Sequence, residues 1–132
     1  LAMQKAFQVS GLTPDDIDYI NAHGTGTEIN DLSEGTAIER LFKNKMPYIS
    51  STKPFTGHTL GACGGIEAVL SVLAIEYNLV YPNLNHTHQM SELGFKPTKT
   101  LVADKPIHHV LSNSFGFGGT NGSLLFSELK SD

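Results

Sequence analysis

Three short stretches bring chemically capable groups to places where a chain leaves a β-strand. His23-Gly24-Thr25-Gly26-Thr27 joins an imidazole to two hydroxyls and two glycines, and Lys53 to His58 offers a cation and a second imidazole five residues apart. The third stretch, Phe115-Gly116-Phe117-Gly118-Gly119, leaves backbone N–H groups open to a ligand. Imidazole and ammonium groups move protons or stabilise anions, and free N–H groups suit a developing oxyanion. A single histidine at a strand exit is more often structural than catalytic, and the 116–119 run alone reads as a tight connection between strands. Two histidines, each at a Gly-rich exit, make convergence on one site an equal contender.

Other chemistries find less support. Lys53 is followed by Pro54 and lacks the preceding glycines of a phosphate-binding loop, and no G-x-G-x-x-G or G-x-S-x-G occurs. Ser50-Ser51-Thr52-Lys53 fits S-x-x-K, but the companion S-D-N and K-T-G motifs are absent and Pro54 is expected to block the helix this motif opens. Zinc ligation by His86 with His88, or by His108 with His109, is disfavoured, because strand neighbours point to opposite faces and one cysteine makes no Cys-x-x-Cys knuckle. No metal is expected. Cys63, between Ala62 and Gly64 where a helix starts, reads as a small packing residue rather than a nucleophile.

The elements that must position these groups follow from apolar periodicity and chain breakers. Residues 1–10 read as an amphipathic helix closed by Gly11, and Thr13 to Asp16 as a turn or helix start. A strand over Ile17 to Ala22 delivers His23. Asp31 is expected to cap a helix reaching about Lys43, with Leu32, Ile38, Leu41 and Phe42 on one face. Tyr48 to Ser51 forms a strand that delivers Lys53, and Leu60 to Tyr77 is the longest helical pattern. Its early glycines, Gly61, Gly64 and Gly65, each cost about 1 kcal/mol in a helix, which implies close approach by another backbone. Residues 80–100 make a long irregular connection, of the kind that is functional or packed on a partner. Strands at Ile107 to Asn113 and Ser123 to Leu129 end the chain. The order β-α-β-α-β-β indicates an α/β domain whose mixed sheet is covered by helices. In open α/β sheets ligands bind beyond the carboxyl ends of the strands, the arrangement that convergence of the three loops would need.

Composition bounds the partners. The 132 residues carry 9 Lys and Arg against 13 Asp and Glu, a net charge of -4, with 39% hydrophobic residues. That suits one domain, since domains run to ~100–150 residues. Without a Lys/Arg run there is no electrostatic footprint for nucleic acid or an anionic membrane, and neither is an expected partner. No apolar run approaches the ~20 residues that cross a bilayer. Cys63 is the single cysteine and no leader peptide opens the sequence, so a reducing, cytoplasmic setting is expected. A helix body that begins at once on Leu1-Ala2-Met3, uncapped, suggests a polypeptide cut from something longer.

Read together, three segments resemble the signatures of β-ketoacyl-(acyl carrier protein) synthases, in order and spacing across essentially the whole chain. They are Asn21-Ala22-His23-Gly24-Thr25-Gly26-Thr27 with Asp31 and Glu34; Ser51-Thr52-Lys53-Pro54-Phe55-Thr56-Gly57-His58 with Gly61-Ala62; and Asn113-Ser114-Phe115-Gly116-Phe117-Gly118-Gly119-Thr120-Asn121-Gly122. The resemblance implies the C-terminal half of a thiolase-like fold, with the nucleophilic cysteine on an N-terminal half absent from this chain. Cys63 stands where the family usually has alanine and does not replace that nucleophile.

Enzymes of this kind move an acyl group onto cysteine, decarboxylate a malonyl thioester and join the resulting carbanion to the acyl group. By the resemblance, His23 and His58 supply N–H donors to the enolate oxygen, and Glu67 holds Lys53, which adds positive charge nearby. The Phe117 N–H, in the loop shaped by Gly116 and Gly118, would complete an oxyanion hole with the N–H of the absent cysteine. Phe115 and Phe117 side chains would line or gate the acyl pocket, and Thr25 and Thr27 would hydrogen-bond the phosphopantetheine arm. No cofactor is implied beyond that carrier-borne arm; the implied partners are acyl carrier protein, the N-terminal half and a second copy in a homodimer. Ser51-Thr52-Lys53 and Ser114-Phe115-Gly116-Phe117 look closer to elongating enzymes of dissociated fatty-acid synthesis than to modular polyketide ketosynthases. A stand-alone ketosynthase of polyene or polyketide synthesis and a non-catalytic acyl- or carrier-binding module are the alternatives.

Overall fold

The computed structural model describes residues 1–129 and alternates helices with strands: α1 (Ala2–Ser10), β1 (Tyr19–Asn21), α2 (Glu28–Leu41), β2 (Tyr48–Ser50), α3 (Lys53–Thr56), α4 (Cys63–Glu76), β3 (Leu79–Val80), β4 (Val102–Ala103), β5 (His109–Phe115) and β6 (Asn121–Ser127). One four-stranded sheet has the order β2-β1-β5-β6. Strand β1 is parallel to both β2 and β5, with Ile20 opposite Ile49 on one side and Leu111 on the other. Strand β6 folds back antiparallel on β5, so the sheet is mixed.

Side chains alternate across β1 because successive Cβ atoms point to opposite faces. Ile20 and Ala22 join Leu111, Ile49, Met3, Phe7, Ile38 and Phe42 in a core under α1 and α2. Tyr19 joins Val110, Ala74, Val80 and Ile107 in a second core under α4. Helices thus cover both faces, and β1, buried along its whole length, is the spine of the domain. Gly11 ends α1 in the left-handed conformation at φ 74°, the stop read from the sequence.

Several expectations need correction. Helix α2 starts at Glu28 with Thr27 as the extended residue before it, so Asp31 is not its cap. The Asp31 carboxylate instead accepts the Gly26 N–H at 3.3 Å, while the Asp31 N–H bonds the Thr27 carbonyl at 2.9 Å. Pro54 does not prevent a helix: it sits in the first turn of α3, where its missing N–H would have had no intrahelical partner. The segment from Leu60 to Tyr77 opens as a 3-10 turn over Leu60–Ala62 before α4 begins. Among its glycines only Gly64 is crowded, by the Ser114 hydroxyl, while Gly61 and Gly65 face open space. The strands at the chain end lie at His109–Phe115 and Asn121–Ser127, each shifted along the chain from its expected position.

The connection read as irregular is bounded by the antiparallel pair β3 and β4, which closes its two ends together. Its loop also shields the outer edge of β2, where unpaired backbone groups would otherwise face solvent. Thr98 donates its N–H to the Ile49 carbonyl at 2.7 Å and accepts the Ile49 N–H on its hydroxyl at 3.2 Å. Leu93 from the same loop rests on Gly35 of α2, so closely that a Cβ there would lie 2.5 Å from its methyl group. The tightest approach to a helical glycine is therefore made by a side chain, and in α2 rather than α4. Leu60, Val69 and Val72 around α4 remain exposed despite being apolar. No helix among the described residues is long and apolar enough to cross a membrane.

Candidate active site

Parallel neighbours end on the same edge of a sheet, and β2, β1 and β5 are parallel neighbours. Their carboxyl ends therefore deliver Lys53, His23 and Phe115 side by side. His58 arrives one turn later: α3 is four residues long and ends at Gly57, whose φ of 74° redirects the chain toward His23. The two imidazole rings meet edge to face with centroids 5.5 Å apart, and the Phe115 ring lies 5.8 Å from His23. These groups open on a cavity of about 1110 Å³ that is also lined by Thr25, Thr27 and Phe117.

Both rings present the same donor. Nδ1 of His23 lies 3.3 Å from the Lys53 ammonium, which has only protons to offer, so the ring proton of His23 sits on Nε2. Nδ1 of His58 accepts the Leu60 N–H at 3.1 Å, which places its proton on Nε2 as well. The Cys63 sulfur is 3.1 Å from the same Nδ1. Cys63 is buried against the back of His58 and takes an N-terminal position in α4. Two neutral N–H donors converging on one space are suited to an oxygen that becomes negative.

Lys53 and Glu67 form a buried ion pair, with Glu67 on α4 also 3.5 Å from the Ser114 hydroxyl. Pairing is what keeps an ammonium charged out of water. Burial foremost, then the Lys53 charge and then His58, hold His23 well below the ordinary imidazole value of 6.5, at about 4. Its ring resonance should therefore not titrate until the pH approaches 4, as checked by NMR of histidine Cε1–H groups. Between pH 6.5 and 4 the unfolded chain binds a proton here that the folded chain refuses. This group's contribution to stability accordingly falls as the pH drops through that window.

Glu34, part of the first signature, organises the backbone around His23. Its Oε1 accepts the His23 N–H at 3.0 Å and an Asn113 amide N–H at 3.0 Å, and its Oε2 accepts the Gly24 N–H at 2.9 Å. Burial raises its pKa, against the lowering effect of the Gly24, Asn113 and His23 donors and of Lys53. A signal was present: Glu34 stands four residues before Ile38 and eight before Phe42, on the stripe of α2 that faces the core. Glu34→Gln should cost about 1–3 kcal/mol in urea unfolding, since an amide turns an NH2 toward backbone donors that need an acceptor.

The loop after β5 places Gly118 and Gly119 at φ 76° and 84°, and leaves the Phe117 side chain wholly exposed. Thr25 and Thr27 join their hydroxyls at 2.9 Å on the cavity wall. Of the histidine pairs in the sequence, His108 bonds Glu128, His109 bonds Ser127 and His88 bonds Thr87.

Parallel strands delivering His, Lys and a Gly-rich loop to one edge, with helices on both faces, define a thiolase-like α/β half. Residues 1–87 match the family described as beta-ketoacyl synthase, C-terminal domain, and the chain belongs to that family. It is 43% identical over 114 residues to 3-oxoacyl-(acyl-carrier-protein) synthase 1 of Escherichia coli (strain K12), covering 86% of this chain and 28% of that one. To 3-oxoacyl-(acyl-carrier-protein) synthase 2 of Coxiella burnetii it is 44% identical over 132 residues, covering 96% and 31%. Among solved structures, the ketosynthase assembly AntDE:AntF, a type II PKS acyl-carrier protein in complex with its ketosynthase bound to the hexaketide, superposes with a TM-score of 0.88 at 30% identity, over 97% of this chain and 32% of that one. The chain thus spans under a third of the length of these relatives.

Proposed function

We propose that this chain is the C-terminal part of a 3-oxoacyl-(acyl carrier protein) synthase, an acyltransferase that performs decarboxylative Claisen condensation in fatty-acid elongation. The observation that carries the reading is the convergence of two Nε2–H donors, from His23 and His58, backed by the buried Lys53–Glu67 pair. An acyl group is carried on a cysteine from the N-terminal part. A malonyl thioester then loses CO2 as its C–C bond breaks, and the electron pair passes to the enolate, whose oxygen the two imidazoles hold. The enolate carbon attacks the acyl thioester carbonyl. The Phe117 N–H and the cysteine's own N–H hold the resulting oxyanion, which collapses and expels the cysteine thiolate.

Thr25 and Thr27 bind the amides of the phosphopantetheine arm of acyl carrier protein, the one group the reaction needs beyond protein side chains. Phe115 and Phe117 gate the acyl pocket. Exposed Leu60, Val69 and Val72 support an N-terminal half packed on α4, within a cytoplasmic homodimer. Higher identity to the fatty-acid relatives than to the polyketide assembly favours fatty-acid elongation.

The test is to measure the intact mass of the natural protein and to assay it with acyl- and malonyl-loaded carrier protein. CO2 and 3-oxoacyl product should appear in equal amounts. Product extended repeatedly without reduction would move the protein to polyketide synthesis, and binding of carrier without CO2 release would make it a non-catalytic module.

A further inference from the structure

Three residues outside the proposed chemistry tie the two histidine- and lysine-bearing loops to the loop that shields β2. Asn83 is fixed by its own N–H, which donates to the Thr98 carbonyl at 2.7 Å. Its Oδ1 accepts the Ser51 N–H at 2.9 Å. The Ser51 hydroxyl donates to the Gly24 carbonyl at 3.0 Å and accepts the Lys53 N–H at 3.3 Å. Ser51 is therefore bonded at once to the residue after His23 and to Lys53 itself, and it is only 5% exposed.

Space is as tight as the bonding. Gly24 has φ +39°, and a Cβ on it would lie 2.6 Å from the Ser51 Cβ, so the exits of β1 and β2 touch at this serine. A lysine side chain has four rotatable methylene bonds, and its ammonium reaches a defined place only if its backbone origin is defined too. Glu67 fixes the far end of Lys53 from α4, and Glu34 fixes the His23 and Gly24 amides from α2. We propose that Ser51, held by Asn83, is a positioning residue that sets the separation of Lys53 from His23. This gives the 81–98 connection a function: it carries the anchor for the active-site frame.

The inference rests on the condensing-enzyme reading for its effect on turnover, while its geometry is testable without any substrate. Lys53 and His58 are the titratable groups that face the His23 ring, and Glu34 bonds the His23 backbone. If the ammonium recedes, protonation of His23 becomes easier and its titration midpoint rises. A serine that only stabilises the fold would leave that midpoint unmoved in whatever fraction stays folded.

The experiment uses the intact protein with 13Cε1-labelled histidine, His23 being assigned by its loss in His23→Gln. Ser51→Ala should raise the His23 midpoint by at least about 0.5 pH unit, and Asn83→Ala should raise it by less. Malonyl-thioester decarboxylation by Ser51→Ala should fall roughly ten- to a hundredfold in kcat with KM little changed. An unmoved His23 midpoint in either folded variant overturns the proposal. A raised midpoint in a protein that never decarboxylates malonyl thioesters upholds the positioning role and removes the condensing-enzyme reading. Should Ser51→Ala not fold, Asn83→Ala decides alone, since its side chain lies outside the histidine cavity.

Discussion

His23→Ala or His58→Ala in the intact protein should each slow malonyl-thioester decarboxylation by about a hundred- to a thousandfold, while acyl loading onto cysteine changes only a few-fold. The magnitude is that of losing one preorganised donor to an oxyanion. Loading forms a tetrahedral oxyanion in a different place, served by backbone N–H groups of the 116–119 loop and of the cysteine. The rings touch, with centroids 5.5 Å apart, so the double variant should fall well short of the product of the two single effects. Release of CO2 from malonyl carrier and the mass of the acylated protein separate the two steps. Equal loss of both in either variant would remove the enolate role from that histidine.

Glu67→Ala should destabilise the fold by about 3–5 kcal/mol, because it strands a buried ammonium whose partner it was. Both side chains are almost entirely out of water, and Lys53 next faces His23, which resists a proton as it is. Replacing both partners at once, Lys53→Met with Glu67→Leu, should cost less than Glu67→Ala alone, since no uncompensated charge is left inside. Denaturant midpoints of the three proteins check the ordering. A Glu67→Ala protein of unchanged stability would show that the pair opens to solvent.

Local features were legible where local physics decides. Gly11 stops α1 because a left-handed cap is a one-residue event, and β1 was placed by a β-branched run beside Gly-rich punctuation. Thr27 and Asp31 both suit the entrance of α2, and only the conformation of Thr27, φ -98° and ψ 139°, separates them. Strands β3 and β4 have two residues each, too few to show any period. The crowding of Gly35 has no local signal, because Leu93, which crowds it, is far along the chain.

Which reactive groups exist, and that each leaves a strand in an α/β order, are signals carried by neighbouring residues and so are legible in the sequence. It also determined, through three motifs in register, the family to which the chain belongs. Tertiary structure alone decided that the strands run β2-β1-β5 in parallel, so that His23, Lys53 and Phe115 share an edge. It alone decided that Glu34 serves His23, Gly24 and Asn113, the last of them 79 residues away, and that Asn83 reaches Ser51 across 32 residues. Burial and hydrogen-bond partnership depend on which distant segments exclude water from a group, and no window of neighbouring residues contains that information.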